Sequence, residues 1–242
     1  MKDLVSLAIE AGTKRFGLMP ALDLDELDDA VRAVASVGRL DAICGFKVGF
    51  SLGLGFGLPE VVRRLRAVTD KPIIYDHQKG GTDIPETGPL FARAMAKAQV
   101  DAAILFPQAG PKTLAAWVGA LEQQGVGVIV GGVMTHPGYL KSEGGYLDDD
   151  AVAGIYSHAV EAGVRSFVLP LTRPQAAERI VERSGIAAGW TCYSPGFGAQ
   201  QGDPSRFGFV RRHVLIVGRA LLSAADPAAY VNRIAEELAR TP

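Results

Sequence analysis

The stretch Pro72-Ile73-Ile74-Tyr75-Asp76-His77-Gln78-Lys79-Gly80-Gly81-Thr82-Asp83-Ile84-Pro85-Glu86-Thr87 decides how this chain is read. Residues 72–76 are a short apolar run closed by an acid, which predicts a strand buried on both faces. Pro85 opens a helical pattern that runs to Ala98, a position where the missing N–H costs little. Between strand and helix the chain delivers an acid, a histidine, a lysine, two glycines and a second acid. Carboxylates on both sides of a lysine either hold it charged or place negative charge against a substrate. The loop is a candidate site on charge alone.

Outward from this unit the same alternation recurs in both directions. Phe16 to Leu22 reads as a strand ending at Asp23, and residues 26–37 as a helix carrying Leu27, Ala30, Val31 and Val34 on one side. Ala42 to Phe46 reads as strand two, ending at Lys47, with a helix over 58–69. Beyond the central unit the strands are Val100–Phe106, Val126–Val130, Val164–Pro170, Ala187–Tyr193 and Val214–Val217. Helices over 111–124, 148–162 and 173–184, and one capped by Asp226, separate and follow them. Eight strands, each followed by a helix, within 242 residues predict an α/β chain folded as a (β/α)8 TIM barrel. Leu4, Val5, Ala8 and Ile9 add a short N-terminal helix. No linker or composition break divides the chain, so residues 1–242 are read as a single barrel domain.

Composition narrows the partners. The 25 basic and 26 acidic residues leave a net charge of −1, which argues against nucleic acid as a partner but permits a local phosphate pocket. Cys44 and Cys192 stand far apart without metal-ligand spacing and read as reduced core thiols, and no His/Cys/Asp grouping suggests a metal. The first residues carry acids and no long apolar run, and no run approaches the ~20 residues a bilayer requires. A soluble, cytoplasmic protein without membrane contact is the expectation.

Barrels of this kind set their sites at the C-terminal ends of the strands. Those ends supply Asp23, Lys47, Asp76 with Lys79, Thr135, Ser194 with Gln200, and Gly218 with Arg219. Ionic groups converging on one mouth are costly unless paired, so the set points to a site. The loop Ser194-Pro195-Gly196-Phe197-Gly198-Ala199-Gln200 and the Gly218-Arg219 turn occupy the phosphate position of the fold, with backbone N–H groups and two side-chain donors. Residues 195–204 form a lid candidate. Acids near Lys47 favour its charged form and set acid–base chemistry above imine chemistry. Of the histidines, His158 and His213 read as structural, His136 as shaping its loop, and His77 as a supporting residue within the acidic stretch.

These residues resemble the orotidine 5'-phosphate decarboxylase family over nearly the whole chain. The resemblance rests on Ala21-Leu22-Asp23, Phe46-Lys47-Val48-Gly49, the Asp76/Lys79/Asp83-Ile84-Pro85-Glu86-Thr87 region, Met134-Thr135-His136-Pro137-Gly138, the Ser194–Gln200 loop, and Ile216-Val217-Gly218-Arg219. It implies cofactor-free decarboxylation of orotidine 5'-phosphate to UMP in a homodimer. On this resemblance Lys79 protonates the C6 carbanion, Asp76 lies against the departing carboxylate, and Lys47 continues the charged chain. Asp83 and Thr87 reach the partner's site, and Asp23 and Lys47 bind the ribose. Thr135 binds the pyrimidine, while Gln200, Gly218 and Arg219 hold the phosphate beside Pro195. The family spacing Asp-x-Lys-x-x-Asp is lengthened here to Asp76-x-x-Lys79-x-x-x-Asp83, an Asp-His-Gln-Lys variant with Gly80 and Gly81 to absorb the added length.

Two other readings stay open at this level. One is a Mg²⁺-dependent decarboxylase or aldolase relative acting on a sugar phosphate, whose glutamate after strand two is replaced here by Lys47. The other is a non-catalytic nucleotide- or phosphate-binding barrel.

Overall fold

A computed structural model of the chain describes residues 15–77, 83–186 and 189–241. The sequence expectations for a helix over 2–13 and for Lys79 lie outside the described residues. Eight parallel strands close into a barrel in chain order: β1 Phe16–Leu22, β2 Phe46–Val48, β3 Ile73–Asp76, β4 Ala102–Leu105, β5 Gly127–Gly131, β6 Ser166–Val168, β7 Thr191–Ser194 and β8 His213–Val217. The helices are α1 Leu27–Val37, α2 Phe50–Gly55, α3 Leu58–Arg66, α4 Gly88–Ala98, α5 Pro111–Gln123, α6 Asp149–Glu161, α7 Pro174–Arg183, α8 Arg219–Leu222 and α9 Pro227–Ala239. The barrel expected from the alternation of strand and helix is the fold observed.

Side chains alternate across each strand, so one sequence parity fills the barrel and the other meets the helices. Met19, Ala21, Ile74, Ile104, Phe106, Ile129, Val168, Tyr193, Val214 and Ile216 pack together inside the barrel. Leu18, Leu22, Phe46, Val48, Ile73, Phe167, Leu215 and Val217 belong to the outer layer and meet the helices. The helices turn a periodic stripe toward that layer, as α1 does with Leu27, Ala30, Val34 and Val37. Asp148 and Asp226 cap α6 and α9 by accepting from the Asp150 and Ala229 amides, each at 2.9 Å. Inside the barrel Phe106 needs Gly131 opposite it, because a Cβ there would lie 2.3 Å from the phenyl ring.

Two strands sit differently from their sequence readings: β7 covers Thr191–Ser194 where 187–193 was expected, with 187 and 188 outside the described residues, and β2 starts later than expected. Strand two was expected over 42–46, but Ile43 makes only an isolated bridge to Leu18, and the ladder proper covers Phe46–Val48. At Gly45 a Cβ would stand 3.0 Å from the Pro72 carbonyl, and the Phe46 amide donates to that same oxygen at 2.8 Å. The close approach begins β2–β3 pairing at Phe46 and moves Lys47 from the strand's end into it, opposite Ala21 and Ile74.

His213 is fully buried on the outer face of β8, between Phe16 at 5.6 Å and Phe207 at 5.3 Å. Burial, helped by the charge of Arg15, pushes its pKa down to about 3. An unfolded histidine titrates near ~6.5, so the folded state resists a proton the unfolded chain accepts. The stability this neutral ring contributes is complete above pH ~6.5 and is lost as pH falls toward 3, by about 1.4 kcal/mol per pH unit. A proton NMR titration should find the His213 ring signals unmoved from pH 8 to 5, with unfolding free energy declining below pH ~6.5; a His213 midpoint near 6.5 would contradict the buried, neutral assignment.

Candidate active site

Three neighbouring strands bring three charged groups together. Asp23 follows β1 in phase with Met19 and Ala21, Lys47 lies within β2, and Asp76 ends β3 in phase with Ile74, so all face the barrel mouth. Lys47 Nζ donates to Asp76 Oδ2 at 2.7 Å and to Asp23 Oδ1 at 3.3 Å. The Lys47 and Asp76 side chains are 7% and 4% exposed, whereas Asp23 is half exposed. Burial works against the Lys47 ammonium, yet the charges of Asp76 and Asp23 and their hydrogen bonds outweigh it, and its pKa is raised. Lys47 is therefore a fixed cation, as acid–base chemistry requires, and not the neutral amine an imine would need.

This triad lines a cavity of about 310 Å³. Thr135, Pro195, Gln200, Gly218 and Arg219, all expected at the site, line it as well. The apolar lining includes Ile104, Met134, Val168 and Ile216, with Phe197 and Ala199 from the loop after β7; sequence reasoning passed over Ile104 and Val168 and quoted the others within motifs without giving them a lining role. Strand parity was the available signal, since Ile104, Val168 and Ile216 are the inward residues nearest the C-terminal ends of β4, β6 and β8.

Ser194 is corrected. Tyr193 faces the interior and Ser194 the outer layer, where its hydroxyl donates to the Leu169 carbonyl at 2.6 Å. It is fully buried and does not line the cavity; only the loop it begins does. Gly196 and Gly198 hold that loop at φ +101° and +78°, a region that favours glycine. A Cβ at Gly202 would sit 2.4 Å from the Leu171 side chain and 2.8 Å from the Gly196 carbonyl.

Asp83 and Thr87 do not line the cavity of their own chain. Asp83 is exposed and its Oδ1 accepts from the Ile84 amide at 2.7 Å, while Thr87 Oγ1 donates to the Ile84 carbonyl at 2.8 Å. Thr113 Oγ1 and Trp117 Nε1 donate to the Asp83 and Ile84 carbonyls, each at 3.1 Å. On the strand side His77 is half-buried against Phe91 at 4.4 Å, within reach of Tyr75 and Trp117. Burial lowers its pKa while the charge of Asp76 opposes that shift. His77 thus packs its ring against Phe91, Tyr75 and Trp117 beside the acidic stretch.

His136 offers its carbonyl to Arg173 at 2.7 Å and its ring to Tyr139 at 5.8 Å, consistent with shaping the loop after β5. Cys44 and Cys192 are buried, and burial pushes each thiol up to about 12, which makes them inert. Among the described residues no group of three or more His, Cys, Asp or Glu side chains could hold a metal ion, and no helix is long and apolar enough to cross a membrane.

Comparison with known proteins converges on one family. Residues 17–234 match the family model described as orotidine 5'-phosphate decarboxylase / HUMPS family. The chain is 35% identical over 219 residues to orotidine 5'-phosphate decarboxylase of Methanosarcina mazei, covering 90% of this chain and 93% of that protein. With the Methanosarcina barkeri protein of the same name it shares 33% over 229 residues, covering 93% and 96%. Among solved structures, orotidine 5'-monophosphate decarboxylase of Methanocaldococcus jannaschii complexed with inhibitor BMP superposes with a TM-score of 0.79 at 26% identity, covering 92% and 98%.

Gly49 exposes how tightly the triad is set, because a Cβ there would stand 2.7 Å from Asp23 Oδ1. Gly49→Ala should therefore displace Asp23 from Lys47 and raise KM about 10-fold, the effect of one charge-assisted hydrogen bond, with thermal stability little changed. Steady-state kinetics beside a melting curve check this; an unchanged KM would show that Asp23 takes no part in binding.

Proposed function

The chain belongs to the orotidine 5'-phosphate decarboxylase / HUMPS family, and we propose that its cavity performs the decarboxylation through the acid–lysine set at the ends of β1, β2 and β3. The reaction is conversion of orotidine 5'-phosphate to UMP, a carboxy-lyase step of pyrimidine biosynthesis. The observation that carries the residue assignment is Lys47 Nζ, held 2.7 Å from Asp76 and 3.3 Å from Asp23 in a cavity whose β7–β8 side presents Gln200, Gly218 and Arg219.

In this reading Gln200, the Gly218 backbone and Arg219 hold the phosphate, with Pro195 shaping the loop beside them. Asp23 and Lys47 take the ribose hydroxyls. Ile104, Met134, Val168 and Ile216 receive the pyrimidine, and Thr135 hydrogen-bonds its polar edge. The substrate carboxylate then faces Asp76, a like charge whose repulsion is relieved as neutral CO₂ departs. The C6–carboxylate bond breaks, its electron pair stays on C6, and the Lys79 ammonium first stabilises that pair and then transfers a proton to it. No metal or organic cofactor enters. A Mg²⁺-dependent relative would need an acid where Lys47 stands, and an ammonium there repels a cation. Binding the phosphate away from C6 supplies remote binding energy for the reacting centre.

Lys79→Ala should lower turnover by about 10³-fold or more while UMP binding persists. The assay follows the absorbance of orotidine 5'-phosphate in chelator-treated buffer, in which the unmodified protein should remain fully active. An active Lys79→Ala protein would remove Lys79 from the central role, and loss of wild-type activity in chelator would favour the metal-dependent reading.

Asp83 and Thr87 act across a homodimer interface in this proposal. That neither residue lines its own chain's cavity supports it, as do the exposed apolar side chains of Ile84 and Leu90 nearby in sequence and of Phe50 and Leu54 after the adjacent strand. Mixing separately inactive Lys79→Ala and Asp83→Ala proteins should restore about a quarter of wild-type activity, because half the dimers are then mixed and each has one intact site. Absence of recovery after exchange, shown by tagged subunits to be complete, would place Asp83 in its own chain's site.

A further inference from the structure

We propose that His213 is a positioning residue for the phosphate-binding loop, holding Ser194, from which that loop departs, and Phe207, near which it returns. This rests on the assignment of Gln200, Gly218 and Arg219 to the phosphate.

The hydrogen bonds fix the direction of control. Ser194 Oγ lies 2.6 Å from the Leu169 carbonyl and 2.8 Å from His213 Nε2. A carbonyl can only accept, so the single hydroxyl proton goes to Leu169, and Nε2–H must donate to Ser194. That sets the imidazole tautomer and leaves Nδ1 without a proton, in keeping with its having no hydrogen-bond partner among the described residues. His213 and Ser194 are both fully buried, so neither hydrogen bond has water to replace it readily. The ring is also held between Phe16 and Phe207. Arg15 binds the Phe207 and Val210 carbonyls at 2.6 and 2.9 Å, and its own carbonyl accepts from the His213 amide at 3.0 Å. Both ends of the connection between β7 and β8 thus converge on one imidazole.

The loop has little slack to absorb a shift at its base. The Leu171 amide donates to the Pro195 carbonyl at 3.0 Å, and the Gly202 amide to the Gly196 carbonyl at 2.9 Å. Space at Gly196 is closed by Gln200 Oε1 at 3.1 Å and Thr172 Cγ2 at 3.2 Å from where a Cβ would be. Movement of Ser194 therefore passes through Pro195 and Gly196 to Gln200, which lines the cavity. A histidine that only filled space would be replaced by phenylalanine among its aromatic neighbours without a ligand-specific effect.

The test is calorimetric binding of UMP and of uridine, which lacks the phosphate. His213→Phe keeps the ring and removes the donor; Ser194→Ala removes the acceptor with minimal change of shape. Each should weaken UMP about 5- to 10-fold, the size of one hydrogen bond, and leave uridine unchanged. His213→Gln, whose amide N–H can reach the hydroxyl, should recover most of the UMP affinity. Arg219→Ala serves as the reference and should narrow the UMP-to-uridine ratio by itself. The proposal is overturned if Arg219→Ala narrows the ratio while Ser194→Ala, and His213→Phe where it folds, do not. Should Arg219→Ala leave the ratio intact, the phosphate assignment falls and the proposal with it.

Discussion

A buried ammonium between two carboxylates sets the terms for this molecule. Lys47 occupies an inward position of a barrel strand, where nearly every neighbour is apolar, and a lone charge there would be strongly disfavoured. Asp76 and Asp23 keep it charged, which fixes how the ends of β1, β2 and β3 stand to one another. Stability alone does not call for such an arrangement, because a well-packed apolar set of the same volume commonly does as well or better. Two acids also exceed what one lysine needs. Lys79 follows Asp76 by three residues in the chain, and on the proposed function it is the second cation of this set.

Around this charged corner the cavity is divided by chemistry. Ile104, Met134, Val168 and Ile216 make an apolar bed suited to a flat ring, beside the buried Lys47–Asp76 pair on one side and Gln200, Gly218 and Arg219 on the β7–β8 side. The β7–β8 side is built from backbone and glycine turns, so N–H groups can approach an anion closely. On the proposed assignment, an anion held at one end would let binding there oppose the repulsion between Asp76 and the substrate carboxylate at the other.

Much of this was legible in the sequence. Apolar runs bounded by acids and glycines gave the eight strands, and the residues ending them named Asp23, Lys47, Asp76, Thr135, Gln200 and Arg219. Strand boundaries were less legible, since β2 begins where Gly45 meets the Pro72 carbonyl, a contact between segments distant in sequence. The apolar bed was overlooked because a core isoleucine and a cavity-lining isoleucine are alike in composition and differ only in height along the strand. Asp83 and Thr87 stand outside their own cavity, and a single chain carries no mark of what a second copy would bring to them.

Ser194 shows why parity must be read together with position. It ends a strand, as Asp76 does, and on position alone it joins the site. Parity sends it outward, because Tyr193 has taken the interior face. The site nevertheless depends on it, since a binding loop can be no better placed than the residue from which it springs. Inward polar residues at strand ends make the cavity, and outward ones fasten the loops that complete it. The inward class is chosen by its fit to a ligand and the outward class by its fit to the helix layer. Buried hydrogen bonds such as that of His213 to Ser194 are therefore the places where substitutions distant from a ligand should change its affinity.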